Sequence, residues 1–185
     1  MPDIVLETDR LVLRTMGEGD ARLQFDLLNS AAATEHLGGP RELHAIEASH
    51  EKSRAAFARD GFGYMMMVDK TDGEIVGYAG LKRVDNPHAK NPGDFEMGWL
   101  VREDRWRRGY ALEAARAVMD RAFTRHDAPL VCAMTADRNT ASWKLMEKLG
   151  MMRRRDLDFV DPDYPPEDNP TILYAITRQQ WESQQ

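Results

Sequence analysis

The spacing of apolar positions predicts a chain of alternating strands and helices. Apolar residues recur every third or fourth position in four segments, which predicts amphipathic helices over residues 20–29, 42–59, 108–124 and 139–149. Shorter apolar or alternating runs predict strands within 6–15 (around 11–13) and over 63–69, 74–83, 95–101, 130–135, 151–160 and 171–177. Asp72-Gly73 lies between two of these strands and predicts a hairpin turn.

The order of these elements predicts how the strands pair. The segments 95–101, 108–124 and 130–135 form a strand-helix-strand unit, which favours parallel pairing of its two strands through a right-handed crossover. Strands that follow one another closely elsewhere favour antiparallel hairpins. We therefore expect an α/β fold with a mixed, mostly antiparallel twisted sheet that is flanked by helices.

Composition narrows the class of protein without identifying an activity. The 185 residues contain 42% hydrophobic and 30% charged residues, which is typical of a globular protein, and this length predicts one domain over residues 1–185. The start of the chain does not resemble a signal peptide, and no window contains the roughly 20 apolar residues of a membrane span. These features predict a cytoplasmic protein without a membrane partner.

The charge balance, the cysteine count and the histidine spacing argue against a nucleic-acid binder, an internal disulfide and a metal site. Lys and Arg total 25 against 31 Asp and Glu, a net charge of −6, which argues against a general nucleic-acid binder. The single cysteine, Cys132, excludes an internal disulfide and is expected to be a buried core residue. The five histidines lack the spacing of metal ligands, so we expect no metal site.

The segment between the predicted strand 95–101 and the following helix carries the clearest chemical signal. Gly109 and Ala111 are small, so another group can approach the backbone closely, and the first amides of a helix lack internal acceptors. Together with the helix dipole, these amides favour an anion such as a phosphate. Four arginines surround this point, at positions 102, 105, 107 and 108. The alternative to an anion site is a helix that begins with solvent-exposed arginines and binds no ligand. The glycine spacing fits neither a Walker A loop nor a dinucleotide fingerprint.

The same segment resembles a known family. Trp106-Arg107-Arg108-Gly109-Tyr110-Ala111, followed by Glu113-Ala114, resembles the acyl-CoA pyrophosphate loop of the GNAT superfamily of N-acetyltransferases. Trp106 makes it most similar to the RimJ/RimL-like branch, which acetylates N-termini of ribosomal proteins. The resemblance extends in the same order over segments 6–14, 95–100, 139–142 and 148–151.

The resemblance implies an acetyl-CoA-dependent N-acetyltransferase in which the acceptor amine attacks directly in a ternary complex. It implies that the two parallel strands splay and that the pantetheine arm of acetyl-CoA lies between them. The residues implied in cofactor binding are Trp99, Leu100, Val101, Arg107, Arg108, Gly109, Tyr110, Ala111, Asn139 and Ser142.

Two residues are candidates for catalysis, and each has a plainer interpretation. Glu96 occupies the position of a family glutamate and would act as the base, unless it is only a solvated strand residue. Ser142 would reach the CoA sulfur, unless it only completes a helical turn. Asn139 would contact the cofactor or cap the helix. Many family members have a tyrosine that acts as the general acid where this chain has Met146. Either Ser142 or a water molecule would therefore protonate the leaving thiolate, or no acid would be needed.

The acceptor is not specified by the sequence. Residues 156–170 contain six carboxylates and no Lys or Arg, which indicates either a solubilising loop or a negative rim that attracts an amine. A protein N-terminus and a small amine both fit, and a homodimer is a family-level expectation. A non-catalytic acyl-CoA-binding or regulatory module on the same fold is the alternative function.

Overall fold

The computed structural model describes residues 2–185 and contains eight strands and five helices among them. The strands are β1 (Ile4–Glu7), β2 (Leu11–Arg14), β3 (Tyr64–Asp69), β4 (Ile75–Arg83), β5 (Phe95–Val101), β6 (Leu130–Ala136), β7 (Met152–Arg153) and β8 (Thr171–Thr177). The helices are α1 (Asp20–Leu28), α2 (Leu43–Asp60), α3 (Tyr110–Arg125), α4 (Thr140–Lys148) and α5 (Arg178–Glu182).

The strands form one sheet in the order β1-β2-β3-β4-β5-β6-β8-β7. Every neighbouring pair is antiparallel except β5 and β6, which are parallel and are connected through α3. The predicted mixed sheet with a central parallel pair is therefore confirmed.

The helices cover both faces of this sheet. The larger core packs α3 against one face, where Val118, Met119 and Phe123 meet strand residues such as Met97. On the opposite face Leu28 of α1 packs with strand residues that include Leu100. The alternation of β5 between these two faces agrees with the strand period of two.

Two strand predictions are wrong in extent. The predicted strand 151–160 is reduced to β7, because Arg155–Leu157 forms a 3-10 turn and Arg153 turns back to pair with Asp158 at 2.5 Å. At the start of the chain a separate strand, β1, precedes β2 and pairs with it as a hairpin. In residues 151–160, local ion pairing and turn formation override the apolar pattern.

Two helix boundaries also differ from the sequence prediction. Helix α3 begins at Tyr110 rather than near Arg108, because Gly109 adopts a left-handed conformation and forms the N-cap. Helix α5 was not predicted, although its start carries a readable signal. Thr177 and Gln180 form a capping box, in which each side chain hydrogen-bonds to the other residue's backbone amide.

No helix within residues 2–185 is long and apolar enough to cross a membrane.

Candidate active site

Strands β5 and β6 are paired at one end only, which opens a gap between them. Their parallel ladder consists of Phe95 with Val131 and Glu96 with Cys132, and it ends there. Strand β4, by contrast, pairs with β5 along its whole length. The gap edge of β5 beyond Glu96 thus presents backbone groups that an extended ligand could pair with.

The backbone of β5 places two of the predicted contacts on this gap. Arg102 N–H donates to Val76 O on β4, so strand alternation turns the amides of Trp99 and Val101 toward β6. The Leu100 amide, which lies between them, faces β4. Trp99 and Val101 are therefore better placed than Leu100 to hydrogen-bond a chain in the gap.

The loop after β5 ends in a group of unpaired amides. Arg107 and Gly109 both adopt left-handed backbone conformations, with φ of 60° and 84°. Among residues 2–185, no acceptor pairs with the backbone amides of residues 107–111. Gly109 has no side chain to cap α3, so these amides and the helix dipole are left for an anion.

The four arginines of this loop divide into two kinds. Arg102 pairs with Asp104 at 3.0 Å, and Arg105 pairs with Asp72 at 2.7 Å. Arg107 and Arg108 are exposed and make no side-chain ion pair within the described part of the chain. Only Arg107 and Arg108 therefore have charge available for a bound diphosphate.

A clamp from the turn between β1 and β2 holds the loop in place. Glu113, in the first turn of α3, accepts hydrogen bonds from Thr8 Oγ1 at 2.5 Å, from Arg10 N at 2.9 Å and from Arg10 Nε at 2.7 Å. Arg10 Nη1 in turn donates to Arg108 O at 2.8 Å. These bonds lower the pKa of Glu113 against the opposing effect of burial. The sequence motifs containing Arg10 and Glu113 had been noted, but their contact had not been predicted.

The β3–β4 turn supports the loop from another side. Tyr110 donates a short hydrogen bond from its hydroxyl to Asp69, which is buried at 3% exposure. This bond lowers the pKa of Asp69 and raises that of Tyr110. Tyr110 was predicted as a cofactor contact, and its side chain is used for this internal bond while its amide stays unpaired.

Glu96 lies on the face of β5 opposite Phe95 and Met97, as predicted. Its side chain is 14% exposed, and Lys82 Nζ lies 3.3 Å from its carboxylate. Burial raises the pKa of Glu96, while the Lys82 charge opposes the shift. A carboxylate with a raised pKa accepts a proton more readily, which suits a general base.

The helix after β6 gives Asn139 a structural role. Its Oδ1 accepts from Ser142 N at 3.3 Å, which caps α4, and its Nδ2 donates to Thr135 Oγ1 at 2.9 Å. Ser142 Oγ makes no hydrogen bond within residues 2–185. Met146 is buried at 1% exposure, so its position holds no acid. Ser142 keeps a hydroxyl available, whereas both ends of the Asn139 amide are already used.

Sequence reasoning missed a tyrosine that shares the face of Glu96. Tyr64 on β3 pairs with Gly80 on β4, which pairs with Gly98 on β5. The phenol lies over Gly98, where a Cβ would fall 2.5 Å from Tyr64 Oη. Glycines inside strands mark close approach of another group, so Gly80 and Gly98 were the signal that could have revealed it.

The acidic loop between β7 and β8 has little free charge. Four of its six carboxylates are held by internal partners: Asp156 by Arg154, Asp158 by Arg153, Asp161 by Asn86, and Asp168 by Arg138 and His36. Only Asp163 and Glu167 have carboxylates without a partner in the described chain. The loop is therefore mainly a folded connection, and its negative rim is limited to these two residues.

The anion site and the partly buried carboxylate of Glu96 lie at opposite ends of β5. From Glu96 to Val101 the strand rises by ~16 Å, and the open gap runs between these ends. A ligand held by phosphates at residues 107–111 must therefore extend along the gap to bring its far end to Glu96. This arrangement suits transfer of a group from a long carrier to a nucleophile at Glu96.

Comparisons with known proteins agree with this geometry. Residues 10–152 match the model of the acetyltransferase (GNAT) domain. The FsC-acetyl coenzyme A-N(2)-transacetylase of Aspergillus fumigatus is 30% identical over 95% of this chain and 77% of its own length.

Solved structures show the same fold. An acetyltransferase from Agrobacterium tumefaciens has a TM-score of 0.74 and 28% identity, with 92% of each chain covered. The spermidine N-acetyltransferase of Vibrio cholerae, solved with CoA and spermine, has a TM-score of 0.73 and 16% identity over 95% of this chain and 99% of that chain. The family model covers well over half of the sequence, so the chain belongs to the GNAT acetyltransferase family and is an acetyl-CoA-dependent N-acetyltransferase.

Proposed function

We propose that the enzyme binds the diphosphate of acetyl-CoA on the amides of residues 107–111 and transfers the acetyl group at the Glu96 end of β5. The observation that carries this proposal is the open gap between β5 and β6, with unpaired amides at one end and a partly buried carboxylate at the other. Arg107 and Arg108 add the exposed positive charge, and Trp99 and Val101 supply backbone groups along the gap.

When it is bound, acetyl-CoA supplies an activated acetyl group as a thioester. Glu96 takes the proton from the attacking amine, and Lys82 holds the carboxylate in place at 3.3 Å. A terminal α-amine titrates near 8 and a lysine near 10.4, so a base is needed near neutral pH. Ser142 is the residue proposed to contact the CoA sulfur. Asn139 positions Ser142 through the cap of α4.

We propose a primary amine as the acceptor, either at a peptide N-terminus or in a small molecule. Glu96 and the free carboxylates of Asp163 and Glu167 favour a cationic acceptor before it loses its proton. The spermidine N-acetyltransferase of Vibrio cholerae shares the fold at 16% identity, so its substrate supplies one member of a test panel and does not identify the acceptor of this chain.

An amine panel that follows CoA release tests this proposal. Spermidine, kanamycin, L-lysine and a short peptide with N-terminal serine sample the candidate classes. Acetylation of at least one amine is expected, with release of one CoA for each amide formed. CoA binding without acetylation of any amine in a broad panel would favour the non-catalytic binding module.

The variant Glu96→Gln tests the base. It should lower turnover by about 100-fold below the pKa of the amine, and the loss should shrink above that pKa, where the amine is already neutral. The pH dependence of kcat/KM measures this, with CoA affinity by calorimetry as the control for folding. An unchanged pH profile would remove Glu96 from the role of base.

The resemblance also leads us to propose four finer assignments. Trp106 supports the RimJ/RimL-like branch, and the whole chain would form one acetyltransferase domain in the cytoplasm. The expected homodimer can be tested by light scattering of the purified protein, which should give twice the mass of 21.1 kDa.

A further inference from the structure

Tyr64 is fixed next to the carboxylate that the proposed mechanism uses. Ser53 Oγ on α2 accepts from Tyr64 N at 2.8 Å and donates to Tyr64 O at 2.9 Å, which anchors its backbone. The ring makes an edge-to-face contact with Tyr78 at 5.7 Å between centroids. The phenol is therefore held in position by the fold before any substrate binds.

The position of the phenol relative to Glu96 follows from the strand register. Tyr64, Gly80 and Gly98 lie side by side across β3, β4 and β5, and Tyr64 Oη lies over Gly98. Glu96 is two residues away on the same face of β5, about 6–7 Å along the strand. Gly98 is also the second residue beyond the last parallel pair, so the phenol stands where the gap opens.

The hydroxyl of Tyr64 has no internal function. Among residues 2–185 it makes no hydrogen bond, and Glu96 has only Lys82 as a side-chain partner. Tyr64 is only partly buried in the free protein. The phenol over Gly98 and the carboxylate of Glu96 thus lie on the same face, two residues apart along β5, and do not hydrogen-bond to each other.

We propose that Tyr64 is a further catalytic residue, whose hydroxyl oxygen accepts one N–H of the acceptor amine while Glu96 accepts the other. This inference rests on the proposed function. A neutral primary amine has two N–H bonds and one lone pair, so fixing both N–H bonds leaves the lone pair to attack. As the C–N bond forms, the C–S bond breaks and CoA leaves as its thiolate with the bonding electron pair. The nitrogen gives one proton to Glu96, while Tyr64 keeps its own proton.

The protonation state of the phenol is consistent with this role. Burial raises the pKa of Tyr64 well above its ordinary value, and the charge of Glu96 raises it further. The phenol therefore stays neutral over the working pH range, and its oxygen can accept a hydrogen bond without adding a second negative charge beside Glu96.

The variant Tyr64→Phe removes only the hydroxyl. We expect kcat/KM for the fastest of spermidine, kanamycin, L-lysine and the seryl peptide to fall at least ~10-fold, the effect of losing one hydrogen bond to the reacting group. KM for acetyl-CoA and affinity for CoA should not change. In calorimetry the same amine should bind the CoA-saturated variant more weakly, which gives a readout independent of turnover.

Tyr78→Phe is the matched control, because it keeps the ring that packs on Tyr64 and removes only a hydroxyl that makes no hydrogen bond among residues 2–185. It should retain wild-type kcat/KM within about twofold. Gly98→Ala should also lower kcat/KM, because its Cβ displaces the phenol, and its effect should be much smaller in the Tyr64→Phe background.

The outcomes separate this inference from the proposed function. A wild-type enzyme that acetylates none of the amines contradicts the proposed acceptor class, and the inference falls with it. An active wild-type enzyme with Tyr64→Phe within twofold of it, in both kcat/KM and amine binding, overturns the inference alone. A loss confined to acetyl-CoA affinity would also overturn it, because the phenol would then contact the cofactor.

Discussion

The basic loop 102–108 and the acidic loop 156–168 carry net charges of opposite sign, and the fold uses these charges differently. In the basic loop the two arginines near β5 are paired with carboxylates, and the two next to the helix start are exposed. In the acidic loop four of six carboxylates are held by internal partners.

This difference shows that the formal charge of a segment does not give the charge available to a ligand. The free arginines lie beside unpaired amides, where their charge and the helix dipole act on the same anion. The paired carboxylates shape the loop instead. Asp168, at 2% exposure, connects it to Arg138 and to His36.

The largest expected effect comes from Gly109→Glu. The new carboxylate would lie at the anion site, and its Cβ would lie 3.3 Å from Arg10 Nη2. We expect CoA affinity to fall at least ~100-fold, about 2.7 kcal/mol, in calorimetric titrations. Retention of CoA binding would disprove the placement of the diphosphate.

Gly19→Glu is the control for that variant. Gly19 is also a left-handed N-cap, with φ of 85° and no atom within 4 Å of a Cβ, so the backbone strain is matched. It should bind CoA as the wild type does, which would assign the effect at Gly109 to the ligand site.

The next effect, on stability, comes from Asp168→Asn. Removing the charge of a buried, hydrogen-bonded carboxylate should lower the free energy of unfolding by about 2 kcal/mol, measured by urea denaturation at pH 7. The exposed Asp163→Asn in the same loop should change it by less than about 0.5 kcal/mol. Equal effects of the two variants would contradict the division into held and free carboxylates.

The pH dependence of stability sharpens this prediction. The hydrogen bond from Arg138 lowers the pKa of Asp168 below its ordinary value. Its contribution to stability is therefore present above about pH 4, the pKa of an unfolded aspartate, and is lost as the pH falls through the lowered folded pKa. The stability difference between wild type and Asp168→Asn should accordingly shrink on acidification.

The smallest effect compares arginines within the basic loop. Arg108→Ala should weaken CoA binding by about fivefold at low salt, close to 1 kcal/mol, and less at high salt because ions screen an exposed charge. Arg102→Ala, which removes a paired arginine, should change CoA affinity by less than about twofold. If titrations at two salt concentrations showed a larger loss of CoA affinity for Arg102→Ala than for Arg108→Ala, the division of the loop into paired and free arginines would be contradicted.

The prediction from sequence succeeded where local pattern decides the structure. The strand period placed Glu96 on the face opposite Phe95 and Met97, and the order of elements gave the parallel pair. It failed where a turn and a local ion pair outweigh the apolar pattern. The ion pair of Arg153 with Asp158 ended the predicted strand 151–160 after two residues.

The candidate site shows a second limit, which is set by contacts between distant segments. The sequence motifs indicated residues 106–111, Glu96 and Ser142, but not the clamp of Arg10 on Glu113, which joins residues 103 positions apart. Tyr64 was missed because its place over Gly98 depends on the register of three strands. Side-chain partners at such separations leave no periodic signal along the chain.

By itself the sequence determined the succession of strands and helices and the motif of the phosphate loop, because these depend on the spacing of residues along the chain. Only the tertiary structure decided which charges stay free, how far β5 and β6 separate and which tyrosine faces Glu96. Those features depend on strand register and on contacts between distant segments, which form only when the whole sheet is assembled.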